Sequence, residues 1–254
     1  MKHFSPGTRD GLETVGRKLD NLRSDPEFQL SSMDHPNCCD MVFAGGGAKG
    51  VAHLGSLWAL DRLGIKFKRL AGNSAGAITA AFVAAGYSAS EFTEELFNID
   101  FKEFRDGYWD RRLPKFALIA TISTTYGLYE GNKLQRWIEE SLVRKNANTF
   151  GRLPRKSVGM LCPLEDSDGH RLTVMASDIT HSCEVRLPDD LSKERYGRLR
   201  VKSFPVSAAV RMSISVPFFF TPYKLHHSKI VDGAFASNLP IEIFDRENVD
   251  EVRW

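Results

Sequence analysis

Asp40-Met41-Val42-Phe43-Ala44 runs into Gly45-Gly46-Gly47-Ala48-Lys49-Gly50, and further on Ile65-Lys66-Phe67-Lys68-Arg69-Leu70-Ala71 runs into Gly72-Asn73-Ser74-Ala75-Gly76. Both begin with a short apolar or alternating run that reads as a strand, and both end in a glycine turn. After the first turn, Val51, Leu54, Leu57, Trp58 and Leu63 recur at helical spacing before Gly64. After the second, residues 77–85 form an apolar helix closed by Gly86. Strand, turn and helix, twice in succession, argue an α/β fold with parallel strands.

Working outward, Ser88-Ala89-Ser90-Glu91 has capping-box spacing ahead of Phe92, Leu96 and Phe97. Leu134, Trp137, Ile138 and Leu142 share a helical face. Residues 171–177 and 184–187 read as strands, 203–213 as a helix, and 217–220 and 229–231 as short apolar strands. The acids of Glu165-Asp166-Ser167-Asp168-Gly169 lack calcium-loop spacing and read as turn residues. Residues 1–38 form an N-terminal arm with room for one short helix, on which Leu12, Val15, Leu19 and Leu22 share a face. Residues 39–254 make the globular domain. The chain stops at Val252-Arg253-Trp254 in what reads as another strand, which leaves two expectations open, a domain truncated at its C-terminus or one that has lost its closing elements.

In 254 residues, 34 Lys and Arg against 32 Asp and Glu leave a charge of +2, which argues against a strongly basic nucleic-acid binder. Apolar content of 42% and charged content of 26% exclude a disordered chain. No apolar segment follows Lys2, and the longest apolar stretch, 75–86, falls short of the roughly 20 residues that span a bilayer. The expectation is a cytoplasmic protein with at most peripheral membrane contact, a signal-independent secretion route staying open. Cys38, Cys39, Cys162 and Cys183 have neither disulfide-framework nor zinc spacing and are expected to be four reduced thiols.

Gly45-x-Gly47-x-x-Gly50 between strand and helix has the form of a dinucleotide-binding turn. The acidic residue expected at the end of the second strand is missing, because residues 66–71 hold none. Val51 after Gly50 excludes a phosphate-binding loop of the Lys-Ser/Thr kind. Gly72-x-Ser74-x-Gly76 fits a nucleophile elbow, whose tight turn needs small neighbours and lifts the serine hydroxyl above a helix N-terminus. Such a serine needs a base. Of seven histidines none follows Asp232, so a serine–acid–histidine order is not indicated. His53 reads as part of the helix after the glycine loop, and His226-His227 as a surface turn. Asp232, delivered by Ile230-Val231 and followed by Gly233-Ala234, is the other candidate base, with an ordinary Asp-Gly turn as the alternative.

Taken together and in order, Gly45-Gly46-Gly47-Ala48-Lys49-Gly50, Gly72-Asn73-Ser74-Ala75-Gly76 and Asp232-Gly233-Ala234 resemble the patatin-like phospholipase family. The run Ser213-Ile214-Ser215-Val216-Pro217-Phe218-Phe219-Phe220, the segment Gly127-Leu128-Tyr129-Glu130-Gly131 and Asn238-Leu239-Pro240 extend the resemblance. It implies a three-layer α/β/α sandwich around a mostly parallel sheet and a lipid acyl hydrolase of phospholipase A or lysophospholipase type. Ser74 matches the nucleophile and Asp232 the base of a dyad without histidine. Gly45, Gly46, Gly47 and Ala75 match the oxyanion hole. Lys49, Gly50, Gly72, Gly76 and Gly233 match supporting positions. The implied substrate is a phospholipid or other acyl-ester lipid, and no metal or organic cofactor is implied. Acyl transfer or thioester hydrolysis on the same fold, and a silent lipid-binding module, are the alternatives. The aromatic and basic run at 101–116 reads either as a helix pair covering the core or as a lid meeting anionic lipid.

Overall fold

Alternating and continuous apolar runs become the strands of a main mixed sheet and a small second one, and helices carrying apolar faces pack against the main sheet. A computed structural model describes residues 6–25, 37–104, 106 and 124–245. In chain order the elements are α1 (Pro6–Arg23), β1 (Cys38–Phe43), a 3-10 turn (Gly47–Val51), α2 (Ala52–Arg62), β2 (Lys66–Asn73), α3 (Ala75–Ala84) and α4 (Ala89–Phe97). There follow β3 (Gly127–Tyr129), α5 (Asn132–Arg144), β4 (Leu172–Asp178), β5 (Cys183–Leu187), α6 (Val206–Ser213), β6 (Phe218–Phe220), β7 (Tyr223–Leu225) and β8 (Ser228–Asp232).

The main sheet runs β1-β2-β4-β8-β7, with β5 also paired to β4. β1, β2 and β4 are parallel to one another, as the repeated strand–turn–helix pattern requires. β5 and β8 are antiparallel to β4, and β7 is antiparallel to β8. β3 and β6 form a separate parallel pair. Every residue of β4 is buried, Thr173, Ser177 and Asp178 included, which marks it as the centre of the sheet.

α3 shows why its sequence is nearly all small and apolar. Ala77, Ala80, Ala81 and Phe82 retain no exposed surface, because the helix packs between β2, β1 and α6. Alanine side chains let its backbone approach the sheet closely. α5 instead buries one stripe, Leu134, Ile138 and Leu142, and Trp137 stacks on Phe82 with 5.1 Å between ring centroids. The capping box at α4 forms as its spacing indicates: Ser88 Oγ accepts from the Glu91 N–H, and the Glu91 carboxylate accepts from the Ser88 N–H. Among the described residues no helix is long and apolar enough to cross a membrane.

Three expectations change. Cys38 and Cys162 form a disulfide, their Cα atoms 6.3 Å apart, so two of the four cysteines are not free thiols. The reason is register. Cys38 lies opposite Lys66 in the β1–β2 pair, and Phe67 bridges to Leu161, which brings Cys162 alongside although it is 124 residues away in sequence. Cys39 and Cys183 remain thiols, and burial, then the Asp40 charge, pushes Cys39 up to about 11. The second helix starts at Ala75, directly after Ser74, rather than two residues later. Asp168 does lie in a 3-10 turn, Asp166–Asp168, but it has a role beyond the turn, as a buried partner of the Lys68 ammonium at 2.9 Å. The aromatic run at 101–116 and the end at Val252-Arg253-Trp254 lie largely or wholly outside the described residues.

The disulfide closes a long loop and constrains the unfolded chain. Cys38→Ser should lower unfolding free energy by about 2–4 kcal/mol in urea titrations, and a reducing agent should reproduce the loss in the unmodified chain but not in the variant.

Candidate active site

β4 has two edges and three partners. β5 takes one edge along Val174–Asp178. β2 and β8 therefore share the other. β2 pairs with Leu172 through Met175 and stops at Asn73; β8 takes over at Ala176, which faces Asp232, and continues to Asp178. Because β2 is parallel to β4 and β8 antiparallel, the two meet C-terminus to C-terminus. Ser74 and Asp232 stand at that join.

Ser74 turns the chain there. Its φ of 53° and ψ of −122° lie outside the comfortable regions for a residue with a Cβ, and it is 7% exposed. The conformation is held from outside: the Ser74 N–H donates to Ser213 Oγ at 2.8 Å, and the Ser213 hydroxyl donates to the Met175 carbonyl at 2.5 Å. The Ser74 carbonyl accepts from Ala77 and Ile78, so the N–H groups of Ala75 and Gly76 open the helix without intrahelical acceptors. Gly76 is forced by space. A Cβ there would collide with the carbonyls of Phe43 and Ala44, and one at Gly72 would collide with Gly76.

The first glycine loop lies over the elbow. A Cβ on Gly45 would come 3.3 Å from that of Ser74, and one on Gly50 2.6 Å from that of Ala75. The Gly45 N–H donates to the Asn238 carbonyl at 3.2 Å, which leaves Gly46, Gly47 and Ala75 as the donors of the matched set not committed to that contact. Gly47 adopts a φ of 52° beside open space. Lys49 is exposed and makes no ion pair among the described residues.

Asp232 is 3% exposed. Its Oδ1 accepts the Ala234 N–H at 2.9 Å, while Oδ2 is buried with no hydrogen-bond partner among the described residues. Burial pushes the carboxyl above the ordinary aspartate range; the Ala234 N–H, and the Ser74 hydroxyl, which is near the carboxylate but outside hydrogen-bond geometry, pull against that shift by favouring the ionised form. Gly233 follows because a Cβ there would strike the Asn73 side chain.

No histidine ring hydrogen-bonds Ser74 or Asp232 among the described residues. His53 is on α2, its Nδ1 3.2 Å from Thr79 Oγ1 and its ring edge-on to Phe43; burial lowers its pKa. His226 and His227 form the β7–β8 turn. Among the described residues no three His, Cys, Asp or Glu side chains gather around a metal position.

Four residues position the site through contacts that no motif reveals. Ser213 pins the elbow. Asn73 donates to the Ser237 carbonyl at 2.8 Å and ties β2 to the segment after Asp232. Asn238 holds Gly45. Arg211, 2% exposed, donates to Ser215 Oγ at 2.5 Å, to the Thr221 carbonyl at 3.0 Å and to the Glu130 carbonyl, and the Ser215 carbonyl accepts the Asp232 N–H at 3.0 Å. Burial brings Arg211 down to about 10, so it stays charged at neutral pH. Asn73, Ser213 and Asn238 lie inside quoted motifs, and only their partners were hidden. Arg211 carried one weak signal, a lone cation in an otherwise apolar helix.

A strained serine at a strand–helix elbow, covered by a glycine loop and facing a buried carboxylate, defines an α/β protein with a serine-centred site. The chain belongs to the patatin-like phospholipase family, which it matches over residues 41–245. It is 39% identical over 212 residues to the uncharacterized protein YqhO of Bacillus subtilis, covering 82% of this chain and 67% of that one. It is 25% identical over 210 residues to neuropathy target esterase sws of Drosophila melanogaster, covering 82% of this chain but 12% of that protein. The crystal structure of VipD from Legionella pneumophila aligns over 88% of this chain and 49% of its own at 19% identity, with a TM-score of 0.49.

The packing makes a graded prediction for stability. Ser213→Ala leaves the Ser74 N–H buried and unpaired and should cost about 1–3 kcal/mol. Gly76→Ala drives a methyl into two backbone carbonyls and should cost more, about 3 kcal/mol or above. Urea unfolding of both variants checks the order.

Proposed function

We propose that this chain is a lipid acyl hydrolase working through a Ser74–Asp232 dyad. The observation that supports this most is the pairing of a strained serine with a buried carboxylate that has one unpartnered oxygen. Asp232 Oδ2 takes the Ser74 hydroxyl proton as Ser74 Oγ attacks the ester carbonyl of a phospholipid or other acyl-ester lipid. The carbonyl oxygen becomes an oxyanion, for which N–H groups of Gly46, Gly47 and Ala75 are the proposed donors, helped by the positive end of α3. Collapse returns the proton to the leaving alcohol and forms an acyl-serine. Water then attacks that ester, Asp232 accepts its proton, and the fatty acid leaves with Ser74 Oγ reprotonated. The burial that raises the Asp232 pKa is what gives a carboxylate the strength to act without an imidazole.

Fatty-acid release from mixed phospholipid vesicles tests the reading. Ser74→Ala should cut turnover by about 10³-fold or more, and Asp232→Asn by a similar factor. Equal release by either variant and the unmodified chain sinks the assignment.

The pH dependence follows from the raised Asp232 pKa. The base works ionised, so kcat/KM should fall with acid at a pH above the ordinary aspartate value of 3.8. A carboxyl raised in the folded state favours folding when protonated, and that contribution is lost as pH rises through the raised pKa. At neutral pH the ionised, half-satisfied carboxylate is therefore a cost, and Asp232→Asn should unfold at an equal or higher temperature while losing activity. A variant that loses both together has a structural Asp232.

A further inference from the structure

Large apolar side chains stand in solvent on the segments that build the site. Val51 closes the glycine loop and is 56% exposed. Just after Ser215, whose carbonyl holds the Asp232 N–H, come Val216, Phe218 and Phe219, all exposed. After Asp232 itself come Phe235 and Ile241, 67% and 64% exposed. Three separate stretches of sequence, each anchored to the candidate site through Gly50, Ser215 or Ser237, thus carry exposed apolar groups.

Phe218 sharpens the point. Its φ is 67°, a left-handed conformation that a bulky side chain adopts only under constraint, and its ring is 67% exposed. Neither backbone preference nor burial accounts for a phenylalanine held in this way. Its N–H donates to the Tyr126 carbonyl at 3.0 Å, and Tyr126 is itself half-exposed, with the Lys229 ammonium 4.5 Å from its ring centroid. Lys229 and Lys224 line a cleft of about 490 Å³ next to Tyr126, and neither makes an ion pair among the described residues. Aromatic rings beside unpaired lysines match a surface that is apolar inside and anionic at its boundary.

We propose that this rim is the face by which the chain lies on a phospholipid bilayer containing anionic lipid, Phe218 and Phe235 entering the acyl region while Lys224 and Lys229 meet the headgroups. The inference rests on the proposed acyl-hydrolase reading, since the rim is built from the segments that flank Ser74 and Asp232, where that reading puts the scissile ester. It supplies what the dyad lacks, a way to reach an ester embedded in a membrane.

The test is co-sedimentation of the full chain with phosphatidylcholine vesicles, with and without about one quarter phosphatidylglycerol. Phe218→Asn with Phe235→Ser suits the left-handed backbone at 218 and disturbs no buried contact. This double variant should lose about tenfold or more in partition. Lys224→Gln with Lys229→Gln should remove the gain given by the anionic lipid. Turnover of water-soluble p-nitrophenyl butyrate separates this proposal from the one it rests on. The aromatic double variant should lose at least about tenfold more activity on vesicles than on the soluble ester. Parallel loss on both, unchanged partition, or no partition by the unmodified chain overturns the docking face. So does a rim variant that turns a dimer into a monomer without changing partition, which makes the rim a contact between copies. Partition that depends on the rim, with no ester turnover on either substrate, upholds the docking face and rejects the hydrolase.

Discussion

The structure turns on one edge of β4 being divided between two strands of opposite direction. β2 covers the first half and ends at Asn73; β8 covers the second and ends at Asp232. Two strands that meet end to end on a shared edge cannot both continue, so each must leave the sheet at the join. β2 leaves through the strained turn at Ser74, and β8 through Asp232-Gly233. A sheet-pairing constraint thus brings together two side chains 158 positions apart in sequence.

The rest of the core supports that join. Ser213 links the elbow to β4, Asn73 links β2 to the segment after β8, and Arg211 fastens the loop whose Ser215 carbonyl holds Asp232. These contacts are buried, where an unmade hydrogen bond costs most, and together they over-determine a backbone that Ser74 alone would not adopt. The small residues of α3 serve the same end by letting the helix sit directly beneath the elbow.

The parallel half of the sheet was legible because strand, glycine turn and helix leave local marks: periodicity, caps and small residues. The helix at 132–144 and the capping box at Ser88 were legible for the same reason. The sharing of the β4 edge left no local trace, since β8 is a short apolar run that fits any edge. The Cys38–Cys162 disulfide was hidden by its separation and depends on a register no periodicity reveals. In the candidate site, Ser74 stood out by its glycines and Asp232 only through the ordered set of three motifs, while Arg211 and Ser213 act through contacts across the fold, and contacts of that kind carry no spacing.

The most direct measurement is covalent mapping with an alkyl fluorophosphonate, which reacts with a serine only when a neighbouring base activates it. The account predicts a single adduct on the peptide containing Ser74, with a labelling rate that falls steeply in Asp232→Asn and is unaffected by His53→Ala. Labelling at another serine, or at Ser74 with the same rate after Asp232→Asn, would contradict the dyad.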